Sequence, residues 1–126
     1  MTPRPASDRV RRLLTRAMAL AGASTGIALL TRPQQVVDAL APALPHDRVW
    51  LVRALGARLL VQHGTVVVAP RPALVRLGSA VDLLHAASMV PFVASPRYGR
   101  AARISGGLAA TYAAVALAVA PRSESR

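Results

Sequence analysis

Arg58, Gln62, Asp82 and His85 are the residues of this chain with the most chemistry to offer, because each interrupts a stretch that is otherwise apolar. Arg58 and Gln62 are four residues apart and Asp82 and His85 three apart, so each pair shares a helix face. A guanidinium, a carboxylate and an imidazole in such surroundings support two kinds of chemistry. One is a structural ion pair, in which a charge-assisted hydrogen bond locks two helices together. The other is a proton or ion relay through Asp82, His85 and Arg58, since ionisable residues at membrane depth mark pathways. His63 and His85 also lie at matched depths, which leaves bis-histidine haem ligation geometrically open. Two lone histidines carry little, however, and no cofactor and no metal are expected. His46 stands beside Asp47 and reads as a solvated surface residue.

Other catalytic constellations are missing from the sequence. The absence of cysteine excludes disulfide frameworks, zinc–thiolate sites and cysteine nucleophiles. No phosphate-cradling loop, dinucleotide fingerprint, serine-hydrolase elbow or zinc-protease string occurs. The five acidic residues are far apart, and Asp82 alone lies inside an apolar stretch, so no catalytic residue is assigned. All 16 basic residues are arginine, giving a net charge of +11. Such a charge would draw phosphate, but the arginines bracket apolar stretches and lack interleaved aromatics. Anionic lipid headgroups are therefore the expected partner, and nucleic acid is not.

The elements that hold these residues follow from composition. Apolar residues make up 53% of the 126, aromatics only 3%. Charged residues are 17%, against about 25% in soluble domains. The length suits a single domain, here a membrane-embedded helical one over 1–126. Four spans are expected, at about residues 11–30, 49–69, 77–95 and 104–120. Their charge-poor cores reach about 21, 31, 28 and 25 Å, against a hydrocarbon core of about 30 Å. The first must borrow Leu13 and Leu14, with Arg16 and Arg32 snorkelling outward, and three spans is the next reading. A soluble surface helix is disfavoured for the second stretch. Its Arg53, Arg58, Gln62 and His63 fall at about 0°, 140°, 180° and 280° on a helical wheel and so surround it. The expected fold is all-α, a four-transmembrane-helix antiparallel bundle. Short links at Pro70-Arg71-Pro72 and Pro96-Arg97 make spans 2, 3 and 4 antiparallel neighbours.

Between spans 1 and 2, Thr31-Arg32-Pro33-Gln34 reads as a capping box with proline in the first turn. A short interfacial helix should follow, with Val36, Val37, Leu40 and Leu44 on one face and Gln34, Gln35 and Asp38 opposite. With the N-terminus inside, nine arginines (4, 9, 11, 12, 16, 71, 76, 122 and 126) lie on the inner segments and five (32, 48, 97, 100 and 103) on the outer. The positive-inside rule then puts both termini in the cytoplasm, at the inner (plasma) membrane, with Arg97, Arg100 and Arg103 pulling the other way. Trp50 and Tyr98 fall on one membrane face, as an aromatic belt would. Arg11-Arg12 before an apolar run resembles a signal peptide, but Ala39-x-Ala41 is a poor cleavage site, so 11–30 is taken as the first mature helix.

Small residues set the packing. Gly22-x-x-x-Gly26 in span 1, and Gly106, Ala110 and Ala114 within a four-residue repeat from Ala102 to Ala118 in span 4, let helix backbones approach. They serve either packing inside the bundle or contact with another membrane protein or a second copy. The polar residues decide pairing. Arginine or aspartate at a helix centre costs about 2.5–3.5 kcal/mol to insert, so span 2, with Arg58, Gln62 and His63, needs Asp82 as a partner. Arg58 is expected to contact Asp82, with Gln62 and His85 completing its hydrogen bonds. The two lie about 8 Å apart in depth, and the arginine stem points the wrong way, which makes Gln62 the substitute donor.

Arg53-x-x-Gly56-x-Arg58-x-x-x-Gln62 and Val81-Asp82-x-x-His85-Ala86-x-Ser88-Met89 together resemble small four-helix integral membrane proteins of actinobacterial type, DoxX-like in appearance. The resemblance covers roughly residues 49–95. It implies a membrane protein and brings no catalytic residues with it. The expected function is that of a small non-catalytic packing or accessory subunit of a membrane assembly, or of a homo-oligomer. The alternative is a small transporter or proton-coupled carrier using Arg58, Asp82 and His85.

Overall fold

The structure, a computed structural model, describes residues 5–121. Arg4, Arg122 and Arg126 of the arginine count lie outside the described residues. The chain forms α1 (Pro5–Thr31), α2 (Pro33–Leu40), α3 (Val49–Val68), α4 (Pro72–Met89) and α5 (Gly99–Val119), with no strand among the described residues. A 3₁₀ turn at His46–Arg48 leads into α3, and another at Val90–Phe92 leads out of α4. Prolines punctuate the helices, because each lacks an N–H and fixes φ. Pro33 and Pro72 open α2 and α4, Pro91 sits in the turn that ends α4, and Pro121 follows α5. Among the described residues, four helices are long and apolar enough to cross a membrane: Ala6–Thr31, His46–Val68, Pro72–Phe92 and Gly99–Val119.

The helices outrun the apolar stretches at several ends. α4 begins at Pro72 and not near Leu77, and α5 at Gly99 and not near Ile104. Arginine is a good helix former, so Arg76, Arg100 and Arg103 mark a change of depth without ending a helix. The capping box at Thr31 does not form. Thr31 is the last residue of α1, its hydroxyl donates to the Ile27 carbonyl at 2.8 Å, and Arg32 stands at the N-cap of α2 with no side-chain cap. Proline at the start of α2 removes one donor that a cap would serve, which weakens the need for one. Val37 of α2 is buried with Ala41 and Leu44 against Val49, Val52, Tyr98 and Ala101, while Leu40 is exposed.

Packing divides the long helices into two close pairs. α1 lies along α3, although α2 and a loop separate them in sequence, and α4 lies along α5. Between α3 and α4, consecutive in the chain, backbone contact is sparse despite the short link. A short connection brings two helices together without fixing how closely they pack. The core is small in volume: Ala19, Val66 and Val75, with Ala116 against them, bring all four long helices to one point. Large apolar side chains point outward instead, with Val61, Leu77 and Leu84 between 64% and 71% exposed. That inversion is what a lipid solvent permits and water penalises. The chain is a small, multi-pass helical membrane protein in its architecture.

Candidate functional site: a polar cluster between α3 and α4

Each of the four chemistry-bearing residues is placed by its helix. Asp82 lies on the inward face of α4, in line with Val75 and Ser79, and is 2% exposed. Its carboxylate accepts two hydrogen bonds from α3. Arg58 Nη1 donates to Oδ1 at 3.2 Å and Gln62 Nε2 donates to Oδ2 at 3.0 Å. Arg58 Nη1 also donates to Gln62 Oε1 at 3.0 Å, so the three side chains close into a ring. Gln62 Nε2 reaches the Gly78 carbonyl at 3.2 Å as well. Gly78 allows this approach, since a Cβ there would lie 3.2 Å from that same nitrogen. Each carboxylate oxygen thus has a donor, one of them cationic, which offsets the cost of burying the charge.

His85 does not join this ring. It is hydrogen-bonded to Ser105 of α5, tying α4 to its close partner. His63 is buried against α1, with its ring 5.0 Å from that of Tyr112. The two histidines therefore serve different contacts, and no group of three or more metal-ligating side chains forms among the described residues. His46 is exposed, near Asp38 at 3.9 Å.

The glycines divide by helix pair. A Cβ on Gly26 would lie 2.7 Å from the Gly56 carbonyl oxygen and from the Leu60 nitrogen, and one on Gly22 would enter the His63 ring. Backbone meets backbone there, which only glycine allows. Gly106 packs against Met89 within the α4–α5 contact, where Ala102, Ala109 and Ala113 are also buried. Ala110 and Ala114 lie on the exposed side of α5. A four-residue repeat drifts by about 40° per step on a 3.6-residue helix, so it leaves the face on which it starts.

Several participants carry no signal of their own in the sequence. Gly56 matters only because α1 pairs with α3. Ser79, three residues before Asp82, shares its face and was open to the same spacing argument. Arg11 and Thr15 close the molecule at one end. Arg11 Nη1 donates to the Ala118 and Ala120 carbonyls at 3.2 and 3.3 Å, and the Thr15 hydroxyl donates to the Val119 carbonyl at 3.3 Å. These are the unpaired carbonyls of a helix C-terminus, where a cation is favoured. No protein-family model, curated protein or solved structure matches this chain, so the DoxX-like resemblance stays with the two short strings that carry it.

Proposed function

We propose that this is an antiparallel four-span protein of the plasma membrane whose role is association, as an accessory subunit or a homo-oligomer, without catalysis. The observation that carries the reading is the division of α5 into faces. Its inner stripe of Ala102, Gly106, Ala109 and Ala113 is buried inside the molecule. About 115° round the helix, Gly107, Ala110, Ala114 and Ala118 form a second small-residue stripe that is exposed. A Cβ on Gly107 would meet nothing within 4 Å among the described residues. On the remaining side lie Ile104, Leu108 and Val115, bulky and exposed, as a lipid-facing surface requires. A bare small-residue stripe lets a further helix approach closely, which is the main source of helix association in lipid.

The polar cluster supports the same reading. Arg58, Gln62 and Asp82 satisfy one another, and His85 is engaged by Ser105 and not by the pair. A carrier built on Arg58, Asp82 and His85 would need those three in one pathway. α2, with Val37, Ala41 and Leu44 against the ends of α3 and α5, fits a short helix at the membrane surface.

Cysteine substitution tests both topology and association, because the native chain has no cysteine. With cytoplasmic termini, cysteine at Asp47 or Arg97 reacts with an impermeant thiol reagent in intact cells, and cysteine at Ser7 or Arg71 does not. Cysteine at Ala110 or Ala114 should cross-link to a second copy or a co-purifying membrane protein. A monomer that captures no partner from native membranes would end the association reading.

A further inference from the structure

A small cavity of about 30 Å³ lies where α1, α3, α4 and α5 meet. Thr15, His63, Ser79 and Asp82 supply polar groups to its lining, and Ala19 and Val75 are among its apolar ones. Two polar atoms here stand outside the hydrogen-bond network: His63 Nε2 and Ser79 Oγ have no partner among the described residues. Both side chains are deeply buried, His63 at 6% and Ser79 at 2% exposed. Leaving a buried donor or acceptor unpaired is costly, and two that share one cavity call for an occupant that can bond to both.

Size and charge select that occupant. About 10–15 Å³ of such space holds one water molecule, so this cavity has room for one or two and for no organic solute. The charge of Asp82 is already matched by Arg58 at 3.2 Å, which removes the attraction for a cation, and the carboxylate itself repels an anion. A neutral molecule that both donates and accepts is what remains. We propose that the cavity is a hydration site, in which one or two water molecules bond His63 Nε2 and Ser79 Oγ and join them to the Asp82 cluster. Water serves the imidazole in either tautomer, and the Ser79 hydroxyl rotates to suit. The Thr15 hydroxyl donates to Val119 and keeps its lone pairs for a third bond. The site gives α3 and α4, whose backbones meet sparsely, a second polar connection besides the Arg58–Gln62–Asp82 ring.

Water-edited solid-state NMR on the full chain in lipid bilayers tests this. His46→Gln and His85→Gln leave His63 as the sole histidine, labelled with ¹⁵N. Magnetisation from water is expected to reach the His63 ring nitrogens, and to fall severalfold in Ser79→Val, which fills the cavity and removes the hydroxyl. Should Ser79→Val fail to accumulate, Leu74→Phe fills the same space from the apolar wall. A His63 ring that receives nothing from water overturns the site, and so does transfer that neither filling substitution reduces. Spectra in sodium and choline salts are expected to superimpose. A shift at His63 specific to sodium would replace water with a cation and overturn the proposal.

Discussion

α3 is held on two sides by opposite means. Against α1 it offers Gly56, and the backbones of the two helices touch at Gly26. Against α4 it offers Arg58 and Gln62, long side chains that reach Asp82 and the Gly78 carbonyl across a wider gap. In water a buried apolar face would drive both contacts, but lipid tails are as apolar as leucine and supply no such drive. What remains is close van der Waals packing or hydrogen bonding out of reach of water. The α1–α3 seam takes the first route and tolerates no added volume. The α3–α4 seam takes the second and tolerates no lost partner.

Four single substitutions and one double break or sharpen that contrast, and unfolding in bilayers or mild detergent reads all of them. Asp82→Ala should have the largest effect. It strands Arg58, costs about 3–5 kcal/mol and sharply lowers membrane abundance. Arg58→Leu combined with Asp82→Leu should recover most of that loss, and a wild-type abundance for each single variant would refute the pairing. Gly26→Val comes next, at about 1–3 kcal/mol or more, because the atoms it meets are backbone and cannot turn aside. It should leave the Arg58–Asp82 contact intact, as a charge-dependent cross-link between α3 and α4 would report. Gln62→Leu removes one donor from Asp82 while leaving Arg58, and should cost about 0.6–1.7 kcal/mol, the range for hydrogen bonds between helices in a membrane. Arg11→Gln is the mildest, at about 0.3–1 kcal/mol, since it removes only a cation from the α5 C-terminus.

The sequence discloses helices better than it discloses contacts. Four apolar runs of nearly membrane-spanning length are a local property, and α1, α3, α4 and α5 follow from them. Their ends are less visible, because Arg76 or Arg100 changes how deep a helix lies without breaking it. Which glycine meets which helix is not local at all. Gly22-x-x-x-Gly26 announces a close contact, but that its partners are Gly56 and the ring of His63 depends on α1 reaching past α2 to α3. The cluster was legible in its parts. The spacing of Arg58 to Gln62 put both on one face, yet Nη1 shared by Gln62 and Asp82 is a matter of where two helices cross. The spacing of three groups His85 with Asp82 on one face, yet a step of three turns it about 60° round α4, and there it meets Ser105.

The bonds from Arg11 to Ala118 and Ala120 span 107 and 109 positions, almost the whole chain. Closing a loop of that length costs little more than closing one of half the size, because the entropic cost rises only with the logarithm of the loop. A few hydrogen bonds from Arg11 and Thr15 therefore hold together two helices that the order of the chain keeps furthest apart.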